Sequence, residues 1–220
     1  MMDIRKVIDN PARYKKYLKG EYKSRYKDSI FLKEVGSRVM YIDIEISQLA
    51  EHDITISDFR SLLVKQFNPA TKHIECPICQ RNLNSGHIKL SIDHNHTTGE
   101  VRGVLCGNCN TGIGLFRENT IYMSQAISYL ENPPLINRAL NYKTLSNQNK
   151  TTKQIKESLY KEFPECSICK SNKRLALDHN HADNQVRGIL CHLCNFGLGL
   201  LKDNKENIDR AIIYLNRNNA

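Results

Sequence analysis

The chain is 220 residues long, with a net charge of +9, 40% hydrophobic residues, 25% charged residues and no tryptophan. No apolar run approaches the ~18 residues that a membrane span needs. The opening "MMDIRKVIDN" also lacks the apolar stretch of a secretory signal, so an intracellular protein without a membrane anchor is expected.

The length fits one or two domains. Aromatics at 7% exclude two full-size hydrophobic cores, and small modules then need a second source of stability. The positive charge favours a polyanionic partner, nucleic acid first, because it attracts phosphates.

Residues 1–54 read as a basic, mainly helical segment. Tyr14, Tyr17, Leu18, Tyr22 and Tyr26 share one helical face, Gly20 weakens the helix, and seven Lys or Arg fall between Ala12 and Asp28. A solvated basic face and a phosphate-contacting face both fit that pattern. "MYIDIEIS" alternates like a strand, while Val35, Val39, Ile42, Ile46 and Leu49 fit a helix equally well.

A first module is expected over residues 55–131. It opens with a short helix for which Ser57 is the candidate N-cap, followed by the knuckle "CPICQRN". "IKLSID" (88–93) and "VRGVLC" read as two strands, a helix should start near Asn110, and an amphipathic helix closes the module through Met123, Ala126, Ile127 and Leu130. Pro133-Pro134 stops that helix, and residues 132–150 read as a linker whose "PLINRALNY" could form a short helix. The second module, 151–220, repeats the order: a helix, "CSICKSN", the strands "RLALD" and "VRGILC", a helix near Asn195 and a closing helix through Ile208, Ala211, Ile212 and Leu215.

The two modules are homologous. Shifting by 85 aligns residues 175–215 with 90–130 without a gap, and 20 of the 41 positions are identical. The fold class expected is α+β: small zinc-stapled ββα-metal modules with flanking helices, in tandem duplication.

The eight cysteines form four CxxC pairs, Cys76/Cys79 with Cys106/Cys109, and Cys166/Cys169 with Cys191/Cys194. Two pairs per module match one tetrahedral four-thiolate zinc site each, two zinc ions per chain. Disulfides fit an intracellular chain less well. Zinc also answers the small-core problem, since it contributes on the order of 10 kcal/mol to folding such a module. Four sulfurs close the site, so this metal is scaffold.

Between the pairs lie "IDHNH" and "LDHNH". Asp93 and Asp178 are hard oxygen ligands suited to Mg²⁺. His94 and His179 accept protons near neutral pH. Asn110 and Asn195 directly follow the last cysteines, so the knuckle fixes them at a helix start. Asp and Asn could hold one divalent ion with open positions while His deprotonates a water, which is what phosphodiester hydrolysis requires. His96 and His181 are second candidates, for metal or leaving group. Arg102 and Arg187 could bind phosphate or make a structural strand contact. His52, His73, His87 and His192 have no counterpart in the other copy and read as ordinary surface residues. Gly112, Gly114, Gly197 and Gly199 read as close-packing positions.

The segments "CPIC…IDHNH…VRGVLCGNCNTGIGLF" and "CSIC…LDHNH…VRGILCHLCNFGLGLL" resemble the recombination endonuclease VII family, within the ββα-metal (His-Me, or HNH) nucleases. The resemblance implies a four-cysteine zinc, a catalytic Mg²⁺ or Mn²⁺ held by Asp93 with Asn110 and by Asp178 with Asn195, and a His base. It implies cleavage to 5′-phosphate and 3′-hydroxyl ends, DNA as partner, and a phage-encoded protein working in the host cytoplasm. Founding members resolve branched DNA as homodimers, which leaves homodimerisation open here. Two departures stand out. The junction-resolving members carry a Glu three residues after the Asn, where this chain has Ile113 and Leu198, and the family norm is one module per chain. A covalent pseudo-dimer cutting both strands is the functional expectation. The alternatives are a non-catalytic zinc-stapled DNA-binding or regulatory protein, and a nuclease whose target is RNA.

Overall fold

The structure is a computed structural model that describes residues 32–33, 39–40, 46–83, 88–134, 141–145 and 150–217. The Tyr-rich basic segment, His87 and most of the linker lie outside the described residues. Of "MYIDIEIS", only the ends are described. Met40 closes the short strand β2 (Val39–Met40), which pairs with β1 (Leu32–Lys33), and α1 (Ile46–Glu51) begins at the second Ile of "IEIS". The chain divides into two compact units, one reaching to Asn110 and the other comprising Thr111–Arg217.

In the first unit, α2 (Ile56–Lys65) carries the helix expected before the first knuckle, but its N-cap is Thr55, not Ser57. Thr55 Oγ1 accepts from the Asp58 N–H at 3.1 Å and the Asp58 carboxylate accepts from the Thr55 N–H at 2.8 Å. This capping box satisfies two orphan donors reciprocally, which Ser57 cannot do from inside the helix.

A small hairpin that the sequence did not announce follows, β3 (Phe67–Asn68) against β4 (His73–Ile74). The main hairpin is β5 (Leu90–His94) against β6 (Val101–Cys106), antiparallel with Ile92 opposite Val104 and Asp93 opposite Gly103. Gln66 ties α2 to its edge: the Gln66 amide donates to Val104 O at 2.7 Å and accepts from Val104 N at 2.9 Å, as a neighbouring strand would. Phe59, Leu63, Ile74, Leu90 and Leu105 are fully buried and form the core of this unit. The helix α3 (Gly107–Leu115) starts three residues before Asn110, because the second CxxC forms its first turn.

The second unit takes the rest of α3, then α4 (Thr120–Glu131), α5 (Tyr142–Leu145), α6 (Lys150–Glu162), the hairpin β7 (Leu175–His179) with β8 (Val186–Cys191), α7 (His192–Leu200) and α8 (Lys205–Arg217). The β7–β8 register repeats that of β5–β6, with Asp178 opposite Gly188. Leu145, Leu159, Leu177, Val186 and Ile189 form one apolar cluster, with Ile155 and Phe163 packed on it.

α4 and α8 pack against each other. On α4 the buried stripe is Met123, Ala126 and Tyr129, while Ile127 and Leu130 are only half-buried. On α8, Ile208, Ala211 and Leu215 are buried as expected, joined by Tyr214, and Ile212 is half-buried.

Two glycines permit a reciprocal contact. A Cβ on Gly112 would meet the Leu201 side chain at 3.2 Å, and a Cβ on Gly197 would meet the Phe116 ring at 2.8 Å. Gly112 aligns with Gly197 and Phe116 with Leu201 under the same 85-residue shift, so the contact is self-complementary in the manner of a two-fold interface. Gly114 and Gly199 have open space around a Cβ and do not need to be small for packing. Gly197→Ala should therefore cost about 1–3 kcal/mol through overpacking against the buried Phe116 ring, read as a lower Tm in calorimetry, while Gly199→Ala at an equivalent helical position should not lower it.

Candidate metal and catalytic centres

Each repeat brings its four cysteines together. The sulfurs of Cys76, Cys79, Cys106 and Cys109 lie within 4.8 Å of one another, and so do those of Cys166, Cys169, Cys191 and Cys194. The Cys79–Cys106 and Cys169–Cys191 Sγ separations are 3.6 and 3.5 Å. Tetrahedral ligands at about 2.3 Å from zinc sit about 3.8 Å apart, so donor set and size both fit zinc.

The first CxxC of each site is a tight turn. Cys76 N donates to Arg81 O and Cys166 N to Ser171 O, and the residue after the second cysteine, Gln80 or Lys170, takes a left-handed φ of 55° or 59°. The other pair spans the end of a strand and the first turn of a helix. Crowding sets the thiols against each other: hydrogen bonding with Cys109 holds the Cys106 thiol below its ordinary range, while the same contact with Cys106 pushes Cys109 up. Four thiolates at this spacing need a cation, and a divalent zinc would supply it.

The hairpins hold the catalytic candidates. The register slips between Asp93 and His94, and again between Asp178 and His179, which leaves Arg102 and Arg187 as the extra residue of a β-bulge. A bulge re-aims its side chain, and here each guanidinium lies on the opposing carboxylate. Arg102 Nε donates to Asp93 Oδ2 at 2.7 Å and Nη2 to Oδ1 at 2.9 Å. Arg187 makes the same two bonds to Asp178, at 2.7 and 2.9 Å. Both Asp residues are 3% exposed. Of the two sequence readings of these arginines, the structure displays the strand contact: a bidentate pair is geometrically stiff and fixes the carboxylate at the strand end. Arg187 Nη2 also donates to Asp203 Oδ2 at 2.8 Å.

The next residue, His94 or His179, is half-buried, and the second histidine of each motif curls back beside it. Ring centroids are 4.7 Å apart for His94–His96 and 4.6 Å for His179–His181. The intervening Asn makes this curl. Asn95 Oδ1 accepts from Thr97 N, Asn180 Oδ1 accepts from Ala182 N, and the loop closes through Gly99 N to Asn95 O and Asn184 N to Asn180 O. Gly99 and Asn184 take the left-handed conformation this requires, φ 76° and 61°. Burial, followed by the neighbouring His181, pushes the His179 imidazole below its ordinary value, so it is neutral at pH 7.

Asn110 and Asn195 are half-buried at the fourth position of α3 and α7, one turn past the strand end. Asn195 is not a hydrogen-bond partner of Asp178, whose carboxylate is held by Arg187 and by Tyr129. Ile113 and Leu198 are fully buried, so they add apolar packing and no ligand at those positions.

Sequence reasoning missed three side chains. His52, set aside as a surface residue, places its ring 4.5 Å from His94. Tyr142 stacks face to face on His179, 3.8 Å away and 2° from parallel. Tyr129 Oη donates to Asp178 Oδ2 at 2.7 Å. Burial, with the Asp178 charge beside it, pushes that phenol far above its ordinary value, so it remains a donor. The repeat gave one signal, for Tyr129 alone: it recurs as Tyr214.

The sequence model of one family, described as recombination endonuclease VII, matches twice, over residues 50–132 and 140–217. The chain belongs to the recombination endonuclease VII family. The two matches reproduce the tandem repeat and make the α+β modules a duplicated family unit. Among curated proteins, the Gene 59 proteins of Mycobacterium phages L5 and D29 are each 47% identical over 62 residues. That stretch is 28% of this chain and spans only 37% of either relative. No solved structure matches. Among the described residues, no helix is long and apolar enough to cross a membrane.

Proposed function

We propose that the protein is a divalent-metal-dependent endonuclease that acts on duplex or branched DNA, with centres at Asp93, His94 and Asn110 and at Asp178, His179 and Asn195. In this reading it works as a single-chain pseudo-dimer, one centre per strand, in the cytoplasm of a phage-infected host. The observation that carries the reading is the twice-built hairpin, in which the same bulge, Asp–Arg pair and His–His pair recur inside two family matches. The reciprocal Gly112 and Gly197 contacts support the pseudo-dimer.

The residues fit a hard cation. Each carboxylate oxygen has two lone pairs. Asp178 Oδ2 accepts from Arg187 Nε and Tyr129 Oη, while Oδ1 accepts from Arg187 Nη2 alone. One lone pair on Oδ1 therefore remains, and the Asn195 side-chain oxygen adds a second hard donor, a sparse set of the kind Mg²⁺ or Mn²⁺ accepts when water completes the shell. When bound, the ion would offset charge on the phosphoryl group and leaving oxygen. Neutral His179 takes the proton of the attacking water, and Tyr142 holds its ring plane. His181 protonates the leaving oxygen or contacts the phosphate. Arg187, engaged through Nε and Nη2, reaches phosphate through Nη1. His94 and His96 play the same parts in the first centre, while Arg102, its side chain 1% exposed, braces Asp93.

The test is cleavage of supercoiled plasmid by the zinc-loaded chain with and without added Mg²⁺. Metal-stimulated cleavage is expected, and its absence on plasmid, four-way junction, nicked duplex and single-stranded DNA would sink the reading. RNA run in the same panel decides whether the target is DNA alone. One observation favours the rival reading of a non-catalytic DNA-binding protein: each buried carboxylate is tied by a bidentate arginine, which braces the hairpin by itself. That protein would bind DNA in a salt-sensitive way, cleave nothing and ignore loss of His94 and His179.

The two centres are not identical. Beside Asn195, Phe196 is 55% exposed and lies 4.6 Å from the His192 ring, where the first repeat has Thr111 and Gly107. His192 N donates to the backbone of exposed Arg174. An aromatic pair with a basic neighbour suits a nucleobase and its phosphate, and such stacking contributes about 1–3 kcal/mol per base. Phe196→Ala should weaken DNA binding roughly 5- to 100-fold on that scale, measured by fluorescence anisotropy, whereas Thr111→Ala should change it little.

A further inference from the structure

The buried donor on Asp178 does not come from its own family match. Tyr129 lies on α4, inside the match over residues 50–132, and Asp178 lies inside the match over 140–217. We propose that Tyr129 is a positioning residue for the second centre, so that this centre is complete only when the closing helix of the first repeat is docked on it. The inference rests on the catalytic reading above for its link to cleavage, but the contact itself stands on geometry.

Three independent features place the hydroxyl there. The bond is short, 2.7 Å, and Tyr129 is 5% exposed, so water does not substitute for it. Gly188, directly opposite Asp178 in the hairpin, makes room: a Cβ there would meet Tyr129 Oη at 2.9 Å and Cε2 at 3.0 Å. The helix is locked by its packing against α8, with Lys205 Nζ on Glu131 Oε1 at 3.0 Å. Gly188 is thus a clearance for the Tyr129 ring from the other repeat.

The chemical consequence concerns orientation. With Arg187 and Tyr129 both on Oδ2, the carboxylate cannot rotate, and the remaining Oδ1 lone pair keeps one direction. Partners that orient a metal-binding carboxylate in this way typically change metal affinity or activity 10- to 100-fold when removed. Tyr129→Phe removes the hydroxyl alone and keeps the buried ring.

The experiment uses the full zinc-loaded chain in four forms: His94→Ala and His179→Ala, each with and without Tyr129→Phe. Plasmid nicking is followed against Mg²⁺ concentration. Tyr129→Phe should raise the half-saturating Mg²⁺ about 10-fold in the His94→Ala background, where only the second centre remains, and leave the His179→Ala background unchanged. In parallel, Mn²⁺ binding to the otherwise wild-type chain is read by electron paramagnetic resonance. One of two sites should weaken about 10-fold with Tyr129→Phe, and Gly188→Ala, which displaces the ring from the other side, should do the same.

An equal loss in both backgrounds, a loss confined to the first centre, or unchanged Mn²⁺ binding in both variants overturns the inference. If neither histidine parent cuts DNA, the catalytic reading has failed, and the Mn²⁺ titrations still decide the role of Tyr129. A melting curve for each variant separates misfolding from a local effect, and the same outcomes apply to whichever of the two variants keeps the parental Tm.

Discussion

His94→Ala and His179→Ala should each turn a double-strand cutter into a nicking enzyme, and the double variant should lose cleavage by about 10²- to 10⁴-fold, the usual contribution of a positioned general base. The reason is the duplicated geometry. Each histidine follows the Asp that faces the bulge of its own hairpin and carries its own partner ring, His96 or His181, so neither centre borrows the base of the other. Gel separation of supercoiled, nicked and linear plasmid reads both steps. If one single variant abolishes all activity and the other none, only one centre works. A double variant that cuts as well as wild type would remove the histidines from the mechanism altogether. DNA binding should survive in all three, because binding rests on the charge of +9 and not on the imidazoles.

Breaking one zinc cluster should have the largest effect on folding. Cys194 is 2% exposed, on the first turn of α7, and its cluster joins the knuckle after α6 to the end of β8. The apolar cluster beside it is small, centred on five buried aliphatic residues. A metal contribution on the order of 10 kcal/mol exceeds what such a module can lose and stay folded. Cys194→Ala should therefore leave about one zinc per chain by elemental analysis instead of about two, and abolish the activity remaining in a His94→Ala chain. Cys109→Ala should do the converse to a His179→Ala chain. Two zinc ions retained by Cys194→Ala would show that the cysteines do not form the two closed sites described. Strong chelators should unfold both units, visible as loss of helical circular dichroism, while weak chelation of Mg²⁺ stops cleavage and leaves the fold intact.

Much of the site's composition was legible because its signals are local or recur in both copies. CxxC pairs fix two sulfurs by sequence separation alone, and strands that run into Asp-His announce themselves by alternation. Where reading erred, a nearby competitor won. Ser57 lost the N-cap to Thr55 because only Thr55 has Asp58 three residues on. The helix starts moved from Asn110 and Asn195 to Gly107 and His192 because the cysteine turn is itself helical. The stripe of α4 shifted to include Tyr129, since its surroundings include a carboxylate that the helix pattern cannot show.

The duplication, the eight thiols in two sets of four, and the Asp-His pairs placed between them can all be read along the chain, because each depends on spacing within one polypeptide. Which groups surround those residues is set by packing in three dimensions. Folding aimed Arg102 and Arg187 at the carboxylates through a bulge, set His52 at a tilt beside His94, stacked Tyr142 on His179, and brought the Tyr129 hydroxyl to Asp178 across 49 positions. Such contacts are set by how helices pack, by α4 on α8 and by a glycine that lets a ring pass, and helix packing leaves no periodic trace at the residue that makes the contact.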